Sequence, residues 1–287
     1  METVLQSRSS TVTIGPEQPF CIIGERINPT GRKAFAEELR NGDLSRVTTD
    51  AIEQTEAGAD MLDVNAGIPL VDEADLLTQM LRAVQAASDL PICIDSSVIE
   101  ALEAGLSVYE GKALVNSVTG EDDRLEEILP LVAKHGAAVI GLANDETGIP
   151  ETPQKRLEIA TKIVEAAGDH GIPPEDVVID PLAMTVGADT EAVTITLETI
   201  RLIRAELGVN MSLGASNVSF GLPQRHALNA AFLPMAIEAG LTSAIMSTAP
   251  TVVESVRATD LLLGRDAWGA RWIAAHRAKQ AKEAAAA

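Results

Sequence analysis

The chain has 287 residues, 46% hydrophobic and only 2% aromatic, and a formal net charge of −20. That charge repels nucleic-acid backbones and anionic membrane surfaces, so neither is expected as a partner. No apolar run approaches the ~20 residues of a membrane span, and "METVLQSRSSTVTIGP" lacks the basic region and apolar core of a secretory signal, so a soluble cytoplasmic protein is expected.

In chain order, residues 1 to about 15 read as a loose arm. A first apolar run, Phe20–Gly24, ends in "GERINPTGRK". A second, Met61–Val64, ends in "LDVNAG" with Asp63 and Asn65. A third, Pro91–Ile94, ends in "CIDSS" with Asp95. The fourth, Ala113–Val115, ends in "NSVTG" with Asn116 and Ser117. The fifth, Ala137–Leu142, runs into "ANDETG" with Asn144 and Asp145. The sixth, Val177–Ile179, ends in "DPLAM" with Asp180. The seventh, Met211–Leu213, meets "GASN" with Ser216 and Asn217, followed by Ser219. The eighth, Ser243–Met246, ends in "STAP". Between these runs lie segments such as "RLEEILPLVAKH" and "TPQKRLEIATKIVEAA", with apolar residues at helical spacing. Three stretches, "EAGADMLDV", "KHGAAVIGL" and "EAGLTSAIM", repeat one pattern of helix end, Gly stop and strand. Their Gly58, Gly136 and Gly240 are expected to close helices in the left-handed conformation.

Continuous apolar runs are strands buried on both faces, and parallel strands need helical crossovers. Eight such units in this length predict an α/β fold, a (β/α)8 TIM barrel. The rival, a doubly wound open sheet, usually carries a G-x-G-x-x-G after its first strand, and this chain has none. One domain is expected over 1–287, with a frayed tail over about 279–287.

In such a barrel the chemistry sits at the C-terminal ends of the strands. A lone Asp, Ser or Asn there is usually a cap or a turn. The set Asp63, Asp95, Asn116, Asp180 and Asn217 forms one rim. It offers carboxylate acceptors and amides that both donate and accept, and so suits a neutral planar heterocycle better than a phosphate. No metal-binding spacing, phosphate loop or nucleophile elbow is present. Cys21 and Cys93 lie inside apolar runs and read as buried free thiols. Cys93, two residues before Asp95, is a poor nucleophile because a neighbouring carboxylate discourages thiolate formation.

Together "IIGERIN", "LDVNAG", "CIDSS", "VNS", "HGAAVIGL", "TGIP", "VIDPL" and "GASNVSFGLP" resemble the methyltetrahydrofolate:corrinoid methyltransferases, from Ile22 to about Leu263. That family shares a pterin-binding barrel with dihydropteroate synthase and with the folate module of cobalamin-dependent methionine synthase. The resemblance implies that Asp95, Asn116 and Asp180 hold the pterin ring, with Asp63 and Asn65 beside them. It implies that Asn217 is catalytic and faces N5, and that Arg225 lies near the folate. It further implies methyltetrahydrofolate or tetrahydrofolate as substrate, a cobalamin (corrinoid) carried by a separate partner protein, and a homodimer. Two departures stand out. Phe220 occupies a position where some relatives have Gln. After the second strand, "AGIPLVDE" lacks the Ser/Arg phosphate-binding element expected of dihydropteroate synthases, which weighs against that alternative. A folate-binding barrel without turnover is the other alternative. Trp268 and Trp272, with Arg271, Arg277 and Lys279, are expected on one C-terminal helix that covers the barrel.

Overall fold

The computed structural model describes residues 1–286. Its centre is a sheet of eight parallel strands, with a separate two-stranded hairpin at one end. The hairpin comprises β1 (Thr3–Gln6) and β2 (Thr11–Ile14). The barrel strands are β3 (Cys21–Ile27), β4 (Met61–Asn65), β5 (Ile92–Asp95), β6 (Leu114–Thr119), β7 (Ala138–Leu142), β8 (Val177–Asp180), β9 (Asn210–Met211) and β10 (Ser243–Met246). Around them run α1 (Lys33–Arg40), α2 (Ser45–Ala57), α3 (Glu73–Ala87), α4 (Ile99–Val108), α5 (Asp122–His135), α6 (Pro153–Asp169), α7 (Ala192–Glu206), α8 (Arg225–Ala239), α9 (Pro250–Leu262) and α10 (Ala270–Ala286).

Strand order around the sheet is β10-β3-β4-β5-β6-β7-β8-β9. The ring is completed between β9 and β10. A single parallel bridge there joins Gly214 to Ile245, and the Ser243 hydroxyl donates to the Met211 carbonyl at 3.0 Å. The seventh barrel strand is shorter than the apolar run implies. Beyond Met211 its ladder survives as isolated bonds, Ser212 N to Ile179 O at 3.0 Å and Ile245 N to Leu213 O at 2.9 Å.

The helices follow from local rules. Thr152 caps α6 by accepting from Lys155 N at 3.3 Å, with Pro153 in the first turn. Asp72 caps α3 from an acidic first turn. Gly58 and Gly136 close α2 and α5 with φ of 96° and 60°, in the left-handed region that L side chains avoid. The outward faces of the strands and the inner stripes of the helices share one apolar core. A second core fills the barrel itself, from residues such as Ile23, Met61, Cys93, Leu114, Ile140 and Val178.

The arm expected over 1–15 is instead the β1–β2 hairpin, paired from Thr3↔Ile14 to Gln6↔Thr11. Its Leu5 and Ile14 are fully buried in the barrel core. Asn210 Nδ2 donates to Thr3 Oγ1 and to Ile14 O, both at 2.9 Å, and Gln6 exchanges two backbone bonds with Lys112. The hairpin therefore plugs the N-terminal end of the barrel. The physical reason is burial: two large apolar side chains cover an otherwise open floor, worth roughly 1.5–3 kcal/mol each.

At the other terminus, Trp268 and Trp272 do not share a helix. Trp268 lies in the turn Ala267–Gly269 with φ 61° and is 98% exposed. The Asp266 carboxylate accepts from Arg271 N and Trp272 N, at 3.0 and 2.9 Å, and starts α10 after that turn. The tail expected to fray continues α10 to Ala286, and Lys279 pairs with Glu254 at 3.0 Å; Ala287 lies outside the described residues. Among the described residues no helix is long and apolar enough to cross a membrane.

Candidate active site

The inward-facing side chains change character along each strand. Ile23, Met61, Cys93, Leu114 and Val178 belong to the apolar barrel core. Two residues further on, where the period-2 pleat returns to the same face, stand Glu25, Asp63, Asp95, Asn116 and Asp180. The apolar plug thus ends in a polar cup at the C-terminal end of the barrel, the face on which barrel enzymes carry out their chemistry. A groove of about 780 Å3 between α2, α9 and α10 lies away from this cup and contains none of its polar groups.

One wall of the cup is a carboxyl pair. Asp63 is 2% exposed and lies beneath the open rim rather than on it. Its Oδ1 accepts from Asn116 Nδ2 at 3.3 Å. Burial, then the charge of Asp95, pushes Asp63 well above the usual carboxylate range. Asp95 is raised less, to about 6, chiefly by burial, while hydrogen bonds from Asn65 and Asp63 hold it down. Of the two, Asp63 is the deeper and the more strongly raised, so burial favours the protonated form there, with Asp95 nearer the open end of the cup. Asn65 also orients this wall, its Oδ1 accepting from Gly67 N at 2.8 Å. The Cys93 thiol is pushed up by burial and then by both carboxyls, so it stays protonated.

The opposite wall is Asp180. Its Oδ1 accepts from Leu182 N at 2.7 Å. Burial raises Asp180 to about 7, opposed by that bond and by the charge of Arg156. Arg156 is a residue the sequence reading passed over. It lies on the buried stripe of α6, and its guanidinium donates to Pro150 O, Pro181 O and Leu182 O at 3.0, 2.9 and 2.8 Å. It holds the loop after β8 in place. The available signal was a cation in the otherwise apolar register Pro153, Arg156, Ile159, Ile163.

Beside Asp180, at the end of β7, Asn144 has a buried Oδ1 with no hydrogen-bond partner. A buried acceptor without a donor costs free energy until a ligand or water supplies one.

The third wall is the 3-10 turn Ala215–Ser219. Ser216 and Ser219, the polar neighbours of Asn217, are tied into the turn itself. Ser216 Oγ donates to Glu25 Oε1 at 2.9 Å and accepts from Asn229 Nδ2 at 3.2 Å. Ser219 is fully buried and accepts from Arg225 Nε at 3.2 Å, while Arg225 Nη2 donates to Ser216 O at 2.7 Å. Arg225 is thus committed to clamping the turn, with its guanidinium carbon 5.9 Å from the centre of the 68%-exposed Phe220 ring. Glu25, also missed, is raised by burial and lowered by Ser216 and then Arg225. Only the alternation Cys21, Ile23, Glu25 marks it as facing inward.

Asn217 differs from its neighbours. Its backbone N donates to Gly214 O at 3.1 Å, yet its side chain is exposed and has no hydrogen-bond partner among the described residues. The turn is clamped from three sides, and the one free amide on it faces solvent.

The family described as "Pterin binding enzyme" matches residues 24–247. A methylcorrinoid:tetrahydrofolate methyltransferase of Eubacterium limosum is 35% identical over 254 residues, covering 85% of this chain and 92% of that protein. A methionine synthase of Mycobacterium tuberculosis is 35% identical over 259 residues, covering 85% of this chain but 22% of that longer protein. Among solved structures, Yersinia pestis dihydropteroate synthase with a pterin–sulfa conjugate superposes with a TM-score of 0.69 at 16% identity. That match covers 91% of this chain and 99% of the other, and it is a likeness of fold.

Proposed function

The chain belongs to the pterin binding enzyme family, and from that premise we propose that it moves a methyl group between N5 of a folate and the cobalt of a corrinoid. The observation that carries the proposal is the exposed, unpaired Asn217 amide on a clamped turn that borders the cup through the Ser216–Glu25 bond. The 35% identity to a methylcorrinoid:tetrahydrofolate methyltransferase supports this reading. Likeness to dihydropteroate synthase is confined to fold, and the loop after β4, with Gly67, Leu70 and Asp72, carries no cation to meet a phosphate.

In this reading Asp95, Asn116 and Asp180 hold the pterin ring. Its N–H groups meet carboxylates that are already oriented, and the orphaned Asn144 Oδ1 accepts another. Asp63 and Asn65 act from behind by fixing Asp95 and Asn116. Arg225 acts through the turn.

The methyl-bearing N5 is a tertiary amine and a poor leaving group until it gains a proton or a strong hydrogen bond. A donor that meets charge only as it develops lowers the barrier. Asn217 Nδ2 supplies that donor. Being neutral, it does not repel a protonated amine, and being unpaired it gives up no existing bond. The corrinoid supplies the cobalt centre that takes or gives the methyl group. A corrinoid carried by a separate protein, a homodimeric enzyme and a cytoplasmic setting belong to the same reading.

The test offers the purified protein methyltetrahydrofolate with free cob(I)alamin and, in parallel, dihydropterin pyrophosphate with p-aminobenzoate. Methyl transfer without dihydropteroate formation is expected. Dihydropteroate formation, or folate binding with no transfer to free or protein-bound corrinoid, would overturn the proposal.

A further inference from the structure

The turn that presents Asn217 starts at Gly214, whose φ and ψ are −72° and 87°. A negative φ of this size is open to any residue, so the backbone does not require glycine here. Space does. A Cβ built on Gly214 would lie 3.1 Å from Asn217 Nδ2, 3.5 Å from Cγ and 3.8 Å from Oδ1, and these are its three nearest neighbours. The Asn217 amide nitrogen therefore stands a few tenths of an ångström closer than a Cβ at 214 would ordinarily allow, with Cγ and Oδ1 at ordinary contact distance. No hydrogen bond holds that amide in place, and the bare Gly214 backbone is a surface against which it packs. The same residue also anchors the Asn217 backbone, through the bond from Asn217 N to Gly214 O at 3.1 Å.

We propose that Gly214 is a positioning residue for Asn217, its missing Cβ leaving the shelf on which the donor amide rests. The inference rests on the reading of Asn217 as the donor to N5. Alanine at 214 keeps a permitted backbone but forces the amide aside by a few tenths of an ångström, with no bond to hold it near its place. Since a misplacement of about 1 Å can cost ~10²-fold in rate, a fraction of that predicts a loss of roughly 10-fold.

The experiment is a double-mutant cycle of wild type, Gly214→Ala, Asn217→Ala and the double variant. For each, kcat is measured for methyl transfer from methyltetrahydrofolate to free cob(I)alamin, and tetrahydrofolate affinity by calorimetry. The expected result is a roughly 10-fold lower kcat for Gly214→Ala with folate affinity unchanged, and a further loss below about 2-fold when the change is made in Asn217→Ala. Full activity in Gly214→Ala would overturn the inference. So would an equal loss in both backgrounds, or weakened folate binding in both, since glycine would then serve the fold or clear room for the ligand. A variant that does not fold would likewise assign Gly214 to the backbone. If wild type itself transfers no methyl group, the methyltransferase reading fails first, and that outcome is distinct from every pattern above.

Discussion

Asp63 lies one pleat deeper in the barrel than Asp95, and burial raises both carboxyls, Asp63 the more. Two like charges this close in a desolvated site do not both ionise. A protonated Asp63 can donate towards Asp95 while accepting from Asn116 Nδ2, the pattern that an asparagine reproduces. Asp63→Asn is expected to keep folate affinity and activity close to wild type. Asp63→Ala leaves Asn116 Nδ2 unpaired, at about 1–3 kcal/mol for a buried group, and weakens folate binding. Equal loss in both variants, measured by calorimetry, would show that Asp63 needs its charge.

Asp180 makes the protein respond to pH. In the folded protein the proton is held up to about pH 7, whereas an unfolded chain releases it near ~3.9. Stability is therefore lost as pH rises from ~4 to ~7. Asp180→Asn removes that loss and should be more stable at pH 8 by ~1–2 kcal/mol, once the edge open to the cup is discounted.

Ligand binding pulls the other way. The pterin N–H groups want the carboxylate, so folate binding below pH 7 should expel a proton from Asp180. Affinity should then fall towards pH 5, by up to ~10-fold per unit. Titration at pH 6 in buffers of different ionisation heat reads the proton directly. Proton-neutral binding there would remove Asp180 from the pterin site.

Arg156 links the fold to that titration. Arg156→Met strips the donors from three loop carbonyls, a cost on the order of 3 kcal/mol. Thermal melting should show the loss. The variant also removes the cation that opposes the rise of Asp180, so the pH midpoint of folate binding should move up. A stability loss with an unmoved midpoint would separate the two roles.

Asn217→Ala should leave the melting temperature nearly unchanged, because the side chain is exposed and makes no hydrogen bond. Its cost should fall on kcat, about 10²–10³-fold, as for other single donors aimed at developing charge. A drop below about threefold would remove Asn217 from the chemistry.

The barrel was legible because a strand buried on both faces must be a continuous apolar run, and Met61–Asn65 or Ala138–Leu142 can hardly read otherwise. The cup was legible for the converse reason: Asp95, Asn116 and Asp180 interrupt apolar strands at their C-terminal ends. Depth was not. Asp63 and Asp95 look equivalent in sequence, and only the strand stagger buries one and leaves the other nearer the rim. Ser216 and Asn217 are adjacent polar residues, yet the 3-10 turn sends one towards Glu25 and the other to solvent. The hairpin was missed because "TVLQ" and "TVTI" are four-residue strands beside a polar "SRSS", and their value lies in a floor made by distant residues. Trp268 was misplaced because Asp266 caps the helix after it.

The most direct measurement is anaerobic. Wild type and Asn217→Ala are each mixed with methyltetrahydrofolate and photoreduced cob(I)alamin, and the cob(I)alamin absorbance is followed in single turnover. Enzyme-dependent loss of that band in wild type, slowed about 10²–10³-fold in Asn217→Ala with folate affinity retained, is the predicted result. Equal rates in the two proteins would contradict the assignment of Asn217 as the group that activates N5.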